Sequence, residues 1–487
     1  MKRYRIGTIE SRWENFIPPI QGGVFRTRAE IDAQELQDQS TRATESSYSG
    51  SPEPSPIFDA DDGGNARRRA TGKSGGRTSS VSSDSSVEEP TAMEGMTYLN
   101  SITREKIDLD LDKYPAVDME TQADITVKYR ELHQRIRDSG LYHCNYWAYA
   151  GESCSYLFLF AMTFVCISYG QYALAGLCLG GLWHQLVFTA HDAGHMGITH
   201  DFVTDSVIGI IIADFIGGLS MGWWKRNHNV HHIVTNLPEH DPDIEHMPIF
   251  AISHRFLSNL RSTYYDKVME YDAFAKVLLK VQAYTYYPFL AFGRFNLYRL
   301  SWDYLIFGRG PKKGQAAWFR WLEVAGQLFF WLWFGYGVCY KLIPDNTSRF
   351  VFVMVSHISS SPLHLQIVLS HFAMSTADLG PQESFAQKML RTTMDVDCPA
   401  WLDWIHGGLQ FQAIHHLYPR IPRHNLRRTQ RMVQEFCDEV GIPYALYGFV
   451  RGNGEVVGRL AEVSRQAAIL AKCQQTITQS GDFFGHH

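Results

Sequence analysis

Three short histidine-rich segments contain the residues of this sequence that could do chemistry. They read HDAGH, HNVHH and QAIHH, and their candidate ligands are His191, His195, His228, His231, His232, Gln412, His415 and His416. Residues four apart on a helix lie one turn above each other on the same face. Neutral imidazole is the commonest nitrogen ligand for iron, zinc and copper. Seven histidines exceed what one tetrahedral metal can use, so the pattern predicts two adjacent metal ions.

Two kinds of metal chemistry fit this pattern. Zinc hydrolysis would fit the HxxxH spacing, but that motif carries a glutamate after the first histidine as general base, whereas this chain has Asp192. A hydrolytic zinc ion also needs only about three protein ligands. A pair of irons that activates O₂ needs many more, and the apolar segments beside the motifs could guide a long acyl chain to it. The sequence therefore favours oxygen chemistry at two irons over zinc hydrolysis.

Other polar residues near the motifs are candidates for supporting roles. His364 and His371 lie two helical turns apart in one apolar segment. His371, near the cytosolic end of that segment, is the better additional ligand, and His364 is predicted to be a hydrogen-bonded core residue. His184 could support the first motif from behind. Asp241 and Asp243 follow the second motif, where they either orient ligand imidazoles or are ordinary loop carboxylates.

The apolar segments that must position these motifs are unevenly distributed along the 487 residues. Residues 1–95 are polar and rich in Ser, Arg, Asp and Gly. This region is predicted to be mostly disordered, because it cannot bury enough apolar surface to offset its ordering entropy. The net charge of −5 gives no support for nucleic-acid binding. The eight cysteines form no CxxC pair, so neither a disulfide framework nor a thiolate metal site is predicted.

Four apolar segments are about long enough to cross a bilayer, which needs about 20 residues. Two of them lie within residues 156–190, separated by a turn at Ser168–Gln171, and the others are Trp318–Tyr340 and Phe350–Phe372. Thr204–Met221 is also apolar, but it contains an aspartate and several glycines and is predicted to lie buried or at the interface without crossing. Four crossings place all three motifs on one face. Lys and Arg residues before the first apolar segment indicate that this face is cytosolic.

The predicted fold is all-α, a membrane bundle of four transmembrane helices with a cytosolic helical cap. Residues 96–150 form a cytosolic segment before the membrane, in which a turn precedes an amphipathic helix at about Met119–Arg137. Residues 151–430 form the membrane domain that holds the metals. Residues 431–487 form a cytosolic helical tail, and a helix at about Asn425–Val440 leads into it.

In order and spacing, the three motifs resemble the histidine boxes of the membrane fatty-acid desaturase superfamily, which follow HxxxH, HxxHH and H/QxxHH. Gln412, in place of the first histidine of the third box, is similar to the front-end branch of that superfamily. Four further segments are similar to fungal Δ8 sphingolipid desaturases: GMTYLNSITREKIDLDLDKYP, GLYHCNYWAYA, MGWWKRNHNVHH and LQFQAIHHLYPRIPRHN. The resemblance covers about residues 95–450.

This resemblance implies an O₂-dependent di-iron enzyme of the endoplasmic reticulum membrane, with a bundle of four transmembrane helices and a cytosolic active site. The box histidines and His371 would hold two iron ions, and Gln412 would hydrogen-bond near them or ligate weakly through its oxygen. The implied reaction removes two hydrogens from the sphingoid long-chain base of a ceramide and leaves a trans Δ8 double bond. The alternatives are a front-end fatty-acyl desaturase of the Δ5/Δ6 type and a lipid hydroxylase.

Electrons for this reaction must come from a donor. Members of this branch normally carry an N-terminal cytochrome b5 domain with an HPGG motif, whereas this sequence has no HPGG and its first histidine is His133. No haem site is therefore expected in this chain. Cytochrome b5 with its NADH-dependent reductase is expected to act in trans. Its acidic surface would dock on the basic residues Arg420, Arg423, Arg427 and Arg428.

Overall fold

The structure, a computed structural model, describes residues 95–479, with side chains as far as Cys473. The predicted disordered region 1–95, apart from Gly95, lies outside the described residues. The described part of the chain is mostly helical, which confirms the predicted all-α class, and its only strands are short two-stranded pairs.

The described elements follow one another in this order. The helices are α1 Gly95–Lys113, α2 Met119–Asp138, α3 Tyr146–Ser168, α4 Tyr172–Gly194, α5 Phe202–Ile210, α6 Met221–Val234, α7 Ala273–Ala291, α8 Gly293–Ile306, α9 Phe319–Phe330, α10 Asn346–Ser359, α11 Pro362–Phe372, α12 Phe385–Thr392, α13 Asp403–His406, α14 Gln412–Leu417, α15 Leu426–Val440 and α16 Phe449–Gln479. Two π-helical segments, Ile211–Ile216 and Trp331–Leu342, continue α5 and α9. The 3₁₀ turns are His254–Ser258, Ala400–Leu402, Leu409–Phe411 and Arg423–Asn425. The strands are β1 Arg261–Ser262, β2 Lys267–Val268, β3 Asp395–Asp397 and β4 Leu446–Gly448, with β1–β2 antiparallel and β3–β4 parallel.

The predicted cytosolic helices agree with α2 and α15 to within one residue at each end. Asp118 begins α2 by accepting a hydrogen bond from the Thr121 amide, as an N-cap aspartate does. By contrast, α1 is not among the predicted elements. It forms because Leu99 and Ile102 are buried, and Thr103 Oγ1 bonds His254 Nε2 at 2.7 Å, so contacts with distant segments outweigh the alternating IDLDLD pattern.

Three described helices are long and apolar enough to cross a membrane: α3, α4, and α10 with α11 taken as one span, Asn346–Phe372. They match the first, second and fourth predicted segments, and Tyr169–Gln171 is the predicted turn. In its most apolar stretch α3 is 17% buried and α4 is 56% buried, so α3 faces outward and α4 is central. The third predicted segment is helical throughout, as α9 and its π continuation. A count of four crossings stays a prediction.

Close packing between α4 and α10 positions the first motif. An added Cβ on Gly176 would lie 2.8 Å from the Phe352 carbonyl oxygen, and one on Gly180 would lie 1.9 Å from Ser359 Oγ. Small residues four apart let two helix backbones approach closely in a membrane. The end of α4, where His191 lies, is therefore held close to the span that leads to His371.

A sharp bend positions the second motif. The helix pair Phe202–Ile216 and Met221–Val234 is bent by 120°. At the bend, the Trp183 indole donates to the Ile216 carbonyl at 3.0 Å. The first amides of α6 donate to two buried carboxylates, Met221 to Asp214 at 3.1 Å and Gly222 to Glu323 at 3.0 Å. These bonds satisfy backbone groups that a helix break leaves unpaired, and α6 turns back toward the end of α4.

The third motif lies on α14, a short helix buried between α2 and α15. Ala413, Ile414 and Leu417 share one apolar cluster with Leu132 of α2 and Phe436 of α15. The segment before α14 forms β3, which pairs with β4 just before α16. The long helix α16 packs on α7 and shares an apolar cluster with Leu369 and Phe372 at the end of α11.

Candidate metal centre

Four helices bring eight histidines to one place. His191 and His195 lie at the end of α4, and His371 lies at the end of α11. The other five lie on α6 and α14: His228, His231, His232, His415 and His416. All of them except His191, which is partly buried, are 8% exposed or less, although imidazole is polar. Buried polar groups normally have a partner, so this assembly requires an explanation.

The histidines form two clusters. In the first cluster, the ligand atoms of His191, His195, His228 and His415 all lie within 4.8 Å of one another. In the second cluster, the same holds for His231, His371 and His416. The predicted ligands from motifs separated by more than 200 residues therefore lie close together, and His371, the predicted additional ligand, lies in the second cluster.

Two predicted ligands lie beside the clusters. His232 belongs to neither group, but its Nε2 is 3.0 Å from His228 Nε2 and its ring stacks on His416 at 4.1 Å. It therefore lies between the two clusters. Gln412 is 4% exposed, and its side chain lies beside the His371 ring. Its amide is therefore a neighbour of the second cluster.

The donor atoms fit transition metals. Several buried ring nitrogens have no hydrogen-bond partner, including His195 Nε2, His415 Nε2, His416 Nε2 and His371 Nδ1. Two nitrogens bound at about 2.1 Å to one metal lie about 3.0–3.4 Å apart for the usual coordination angles. His231 Nε2 and His371 Nε2 are 3.3 Å apart, which agrees with that spacing. A nitrogen-rich, carboxylate-poor set of this kind suits iron or zinc.

Asp241 orients a ligand, which resolves the two roles left open for it. Its carboxylate lies 2.9 Å from His231 Nδ1, and both groups are almost completely buried. The amides of Asn236 and Asp243 donate to the same carboxylate at 2.7 and 2.9 Å. A carboxylate on Nδ1 fixes the ring and leaves Nε2 toward the cluster. Asp243 is more remote, at 3.7 Å from the Nδ1 atoms of both His228 and His231.

Asp395 supports the third motif from behind and was not predicted. It accepts hydrogen bonds from the Ala413 amide at 2.8 Å, from Gln430 Nε2 at 2.8 Å and from the Tyr444 hydroxyl. Burial raises the pKa of Asp395 to about 6, although these hydrogen bonds oppose the shift. The carboxylate therefore holds the first turn of α14. Sequence alone could not identify it, because its partners come from three separate segments.

The Asp192 carboxylate is bonded to Arg423 and Tyr149, which agrees with the prediction that it does not act as a zinc-protease base. Arg423 Nη1 donates to its carboxylate at 2.6 Å, and the Tyr149 hydroxyl donates to the same oxygen. Arg423 also pairs with Glu152. Asp192 is therefore already neutralised by a buried cation, and it ties the first motif to α3 and to the segment after α14.

This network also corrects the predicted basic surface. Arg423 is 7% exposed, and Arg427 pairs with Asp403 at 2.5 Å, so neither offers a free charge to a partner. Arg420 and Arg428 are exposed, as predicted. The expectation was wrong for Arg423 because a buried arginine and an exposed one look alike in sequence.

Two further histidines lie away from the clusters. The prediction that His364 is a hydrogen-bonded core residue is confirmed, because its Nδ1 bonds the Leu290 carbonyl at 3.0 Å. His184 does not support the first motif. It bonds the Ile405 carbonyl at 2.9 Å and packs its ring edge against Phe188.

A family model described as fatty acid desaturase matches residues 168–448, which include all three motifs and His371. The chain belongs to the fatty acid desaturase family. It is therefore a membrane lipid desaturase, an oxidoreductase, and the predicted resemblance is confirmed. The two histidine clusters fit the iron binding that was expected from the family.

Two fungal relatives in this family are similar along almost the whole chain, and a plant relative is similar along most of it. A Delta 8-(E)-sphingolipid desaturase of Emericella nidulans is 58% identical over 487 residues, covering 100% of this chain and 87% of the relative. A Delta 8-(E)-sphingolipid desaturase of Kluyveromyces lactis is 47% identical, covering 98% and 83%. The Delta(8)-fatty-acid desaturase 1 of Arabidopsis thaliana is 33% identical, covering 72% and 77%.

Proposed function

We propose that this chain introduces a trans Δ8 double bond into the sphingoid long-chain base of ceramides. The two fungal relatives carry that activity in their names and are 58% and 47% identical along almost the whole chain. The plant relative, named for a fatty-acid substrate, is 33% identical. The single observation that carries the chemistry is the convergence of eight histidines from four helices.

The proposed cofactor is a pair of iron ions. The first iron would be held by His191, His195, His228, His232 and His415. The second iron would be held by a different set of side chains: His231, His371, His416 and Gln412. Support for this division comes from the two groups of mutually close nitrogens and from the contacts of His232 and Gln412 with their neighbours.

Bound iron supplies O₂ activation and the abstraction of hydrogen, and the chain supplies position and seclusion. One O₂ takes two hydrogens from the substrate, two electrons from the donor and two protons from solvent, and two waters leave. Burial of the ligand rings limits access of bulk water to the site. Asp241 and Asp395 hold the second and third motifs in place while the long-chain base occupies the site.

The two electrons come from cytochrome b5 and its NADH-dependent reductase, acting in trans on the cytosolic face. The exposed Arg420 and Arg428 remain as positive charges that would steer an acidic donor. Purified protein without a donor should therefore turn over only when reduced cytochrome b5 is added. Equal turnover with O₂ and substrate alone would contradict this route.

The proposed arrangement has four membrane spans in the endoplasmic reticulum, with the metal centre on the cytosolic face. In addition to the three candidate spans, α9 with its π continuation would be the third crossing. The turn before α10 then faces the lumen, and Asp345 there is exposed. A cysteine at Asp345 should react with an impermeant thiol reagent only after the lumenal side is opened. Labelling in sealed vesicles from the cytosolic side would contradict four spans.

The deciding experiment is the lipid profile of a strain that lacks this activity, with and without the chain. Sphingoid bases with a trans Δ8 bond should appear with the wild-type chain and not with His415→Ala at equal membrane abundance. New unsaturated fatty acids would indicate the fatty-acyl alternative, and hydroxylated products would indicate a hydroxylase. Unchanged lipids with the wild-type chain would refute the proposed substrate.

A further inference from the structure

Thr235, directly after α6, lies between the second and third motifs. It is completely buried. Its hydroxyl oxygen is 2.7 Å from the carbonyl oxygen of His231 and 3.1 Å from Nδ1 of His416. The hydroxyl thus contacts two members of the second cluster, one through its backbone and one through its ring.

The Thr235 hydroxyl has one proton, and the position of that proton determines which atom donates in each of these two hydrogen bonds. A carbonyl oxygen can only accept, so the short bond to His231 uses the hydroxyl proton of Thr235. The hydroxyl then has only lone pairs left for His416, and His416 Nδ1 must carry the proton of that bond. The Met389 sulfur, 3.7 Å from the hydroxyl, is a weak acceptor and does not compete with the carbonyl.

We propose that Thr235 is a positioning residue that holds His416 in its Nδ1–H tautomer, so that the Nε2 lone pair faces the metal of the second cluster. His416 Nε2 is buried and has no hydrogen-bond partner among the described residues. The ligand atom of His416 also lies within 4.8 Å of those of His231 and His371. The opposite tautomer would present an N–H bond there, which cannot bind a metal.

The next residue extends this role to the third ligand. The Asn236 side-chain amide donates to the His371 carbonyl at 2.7 Å, and the Asn236 backbone amide donates to Asp241 at 2.7 Å. Thr235 therefore contacts His231 and His416, and Asn236 contacts His371 and the Asp241 carboxylate that orients His231. This pair joins α6, α11 and α14 at the cluster.

The inference rests on the proposed function, because it requires a metal in the second cluster. The test compares Thr235→Val, which has the same shape without the hydroxyl, with Thr235→Ser, which keeps it. Thr429→Val is the matched control, since Thr429 is equally buried and bonds the carbonyl four residues before it at 3.0 Å, away from the clusters. For each purified protein, iron per chain, the rate of iron loss to a chelator and the thermal midpoint are measured.

Thr235→Val should lose one of its two irons about 10–100 times faster than wild type, as expected when an outer partner of a metal ligand is removed. Thr235→Ser and Thr429→Val should retain iron like wild type. If Thr235→Val does not accumulate, Thr235→Ala gives the same measurement.

Three results would overturn the inference alone: equal iron retention in Thr235→Val and wild type, equal loss in Thr235→Ser and Thr235→Val, or iron loss in Thr429→Val that follows its thermal midpoint. Wild-type protein that binds no iron would remove the proposed function together with the inference. The two failures are therefore distinguishable.

Discussion

The two histidine clusters are built from the same residue type but are held in place by different neighbours. In the second cluster, Asp241 holds Nδ1 of His231 and Thr235 holds Nδ1 of His416. In the first cluster, His228 Nδ1 lies 3.7 Å from the Asp243 carboxylate, and within the described part of the chain no carboxylate pairs with the rings of His191, His195 or His415. Those rings pack mainly against one another and against Trp224, with centroids 4.4–5.5 Å apart.

This difference indicates that the ring orientations in the two clusters depend on a bound metal to different degrees. Rings with protein acceptors on Nδ1 keep their tautomer and direction without a metal, whereas rings packed on other rings have no partner that fixes the proton. We therefore expect His231 and His416 of the second cluster to be preorganised and the first cluster to take its final geometry when iron binds. Four predictions test this comparison, from the largest expected effect to the smallest.

Removing one ligand from each cluster should have the largest effect. His415→Ala in the first cluster and His231→Ala in the second should each lower product formation by more than about 100-fold, beyond the usual effect of an outer partner. Each variant should keep about one iron, measured by metal analysis of purified protein, at normal membrane abundance. One zinc and no iron in the wild type would refute the di-iron assignment.

Asp241→Asn should lower iron affinity or activity by about 10–100-fold, because it weakens the acceptor on His231. Asp243→Asn is the matched comparison, and its effect should be smaller, because its carboxylate is 3.7 Å from the ring nitrogens. Iron titration of both variants measures their iron affinities and shows which variant loses more. An equal or larger effect at Asp243 would mean that the contact distances do not rank the two carboxylates.

Gln412→His should reduce activity by about 2–10-fold, the low end of effects from residues beside a metal site. The Gln412 side chain lies beside the His371 ring, and an imidazole offers a different donor and acceptor pattern there. The measurement is turnover at equal iron content. Full activity in this variant would show that the position is passive.

Glu245 lies in the loop that contains Asp241, and it should make the stability of the protein depend on pH. Burial raises its pKa to about 8, against the hydrogen bond from Ser262, so the folded state binds this proton more tightly than the unfolded chain. Stability from this group is complete below pH 4.5, the ordinary value, and is lost as the pH rises toward 8.

Glu245→Gln should remove this pH-dependent loss of stability, because a glutamine side chain does not titrate. Its thermal midpoint should exceed that of wild type by about 1–4 °C at pH 8.5, and the difference should shrink toward pH 5. The comparison uses detergent-solubilised protein in matched buffers. A difference that is constant over this range would show that Glu245 does not titrate there.

Much of the site could be predicted from the sequence, because the positions of its histidines depend on residues close to them in the chain. The spacing within each motif places His191 beside His195 and His228 beside His232, and apolar length locates α3 and α4. The same is true of His371, whose place near the end of an apolar segment and match to the family indicate a ligand. These features depend on residues that are near each other in the chain.

The supporting residues could not be predicted, because each acts on a partner far away in the chain. Thr235 meets His416 across 181 residues, and Arg423 meets Asp192 across 231. Asp241 remained ambiguous for a related reason, since a loop carboxylate gains a role only when a ring nitrogen lies within reach. The unpredicted helix α1 likewise depends on burial against distant segments.

The pairing of β3 with β4 has a consequence for biosynthesis. Asp395 in β3 holds α14, yet the strand that pairs with it and the Tyr444 hydroxyl that bonds it are both made after the third motif. Val396, next to Asp395 in β3, also belongs to the same apolar cluster as Val456 and Leu460 of α16. While the ribosome is still translating this region, the third motif has none of these supports. We therefore expect iron loading to follow translation of α16, when the third motif has gained these supports.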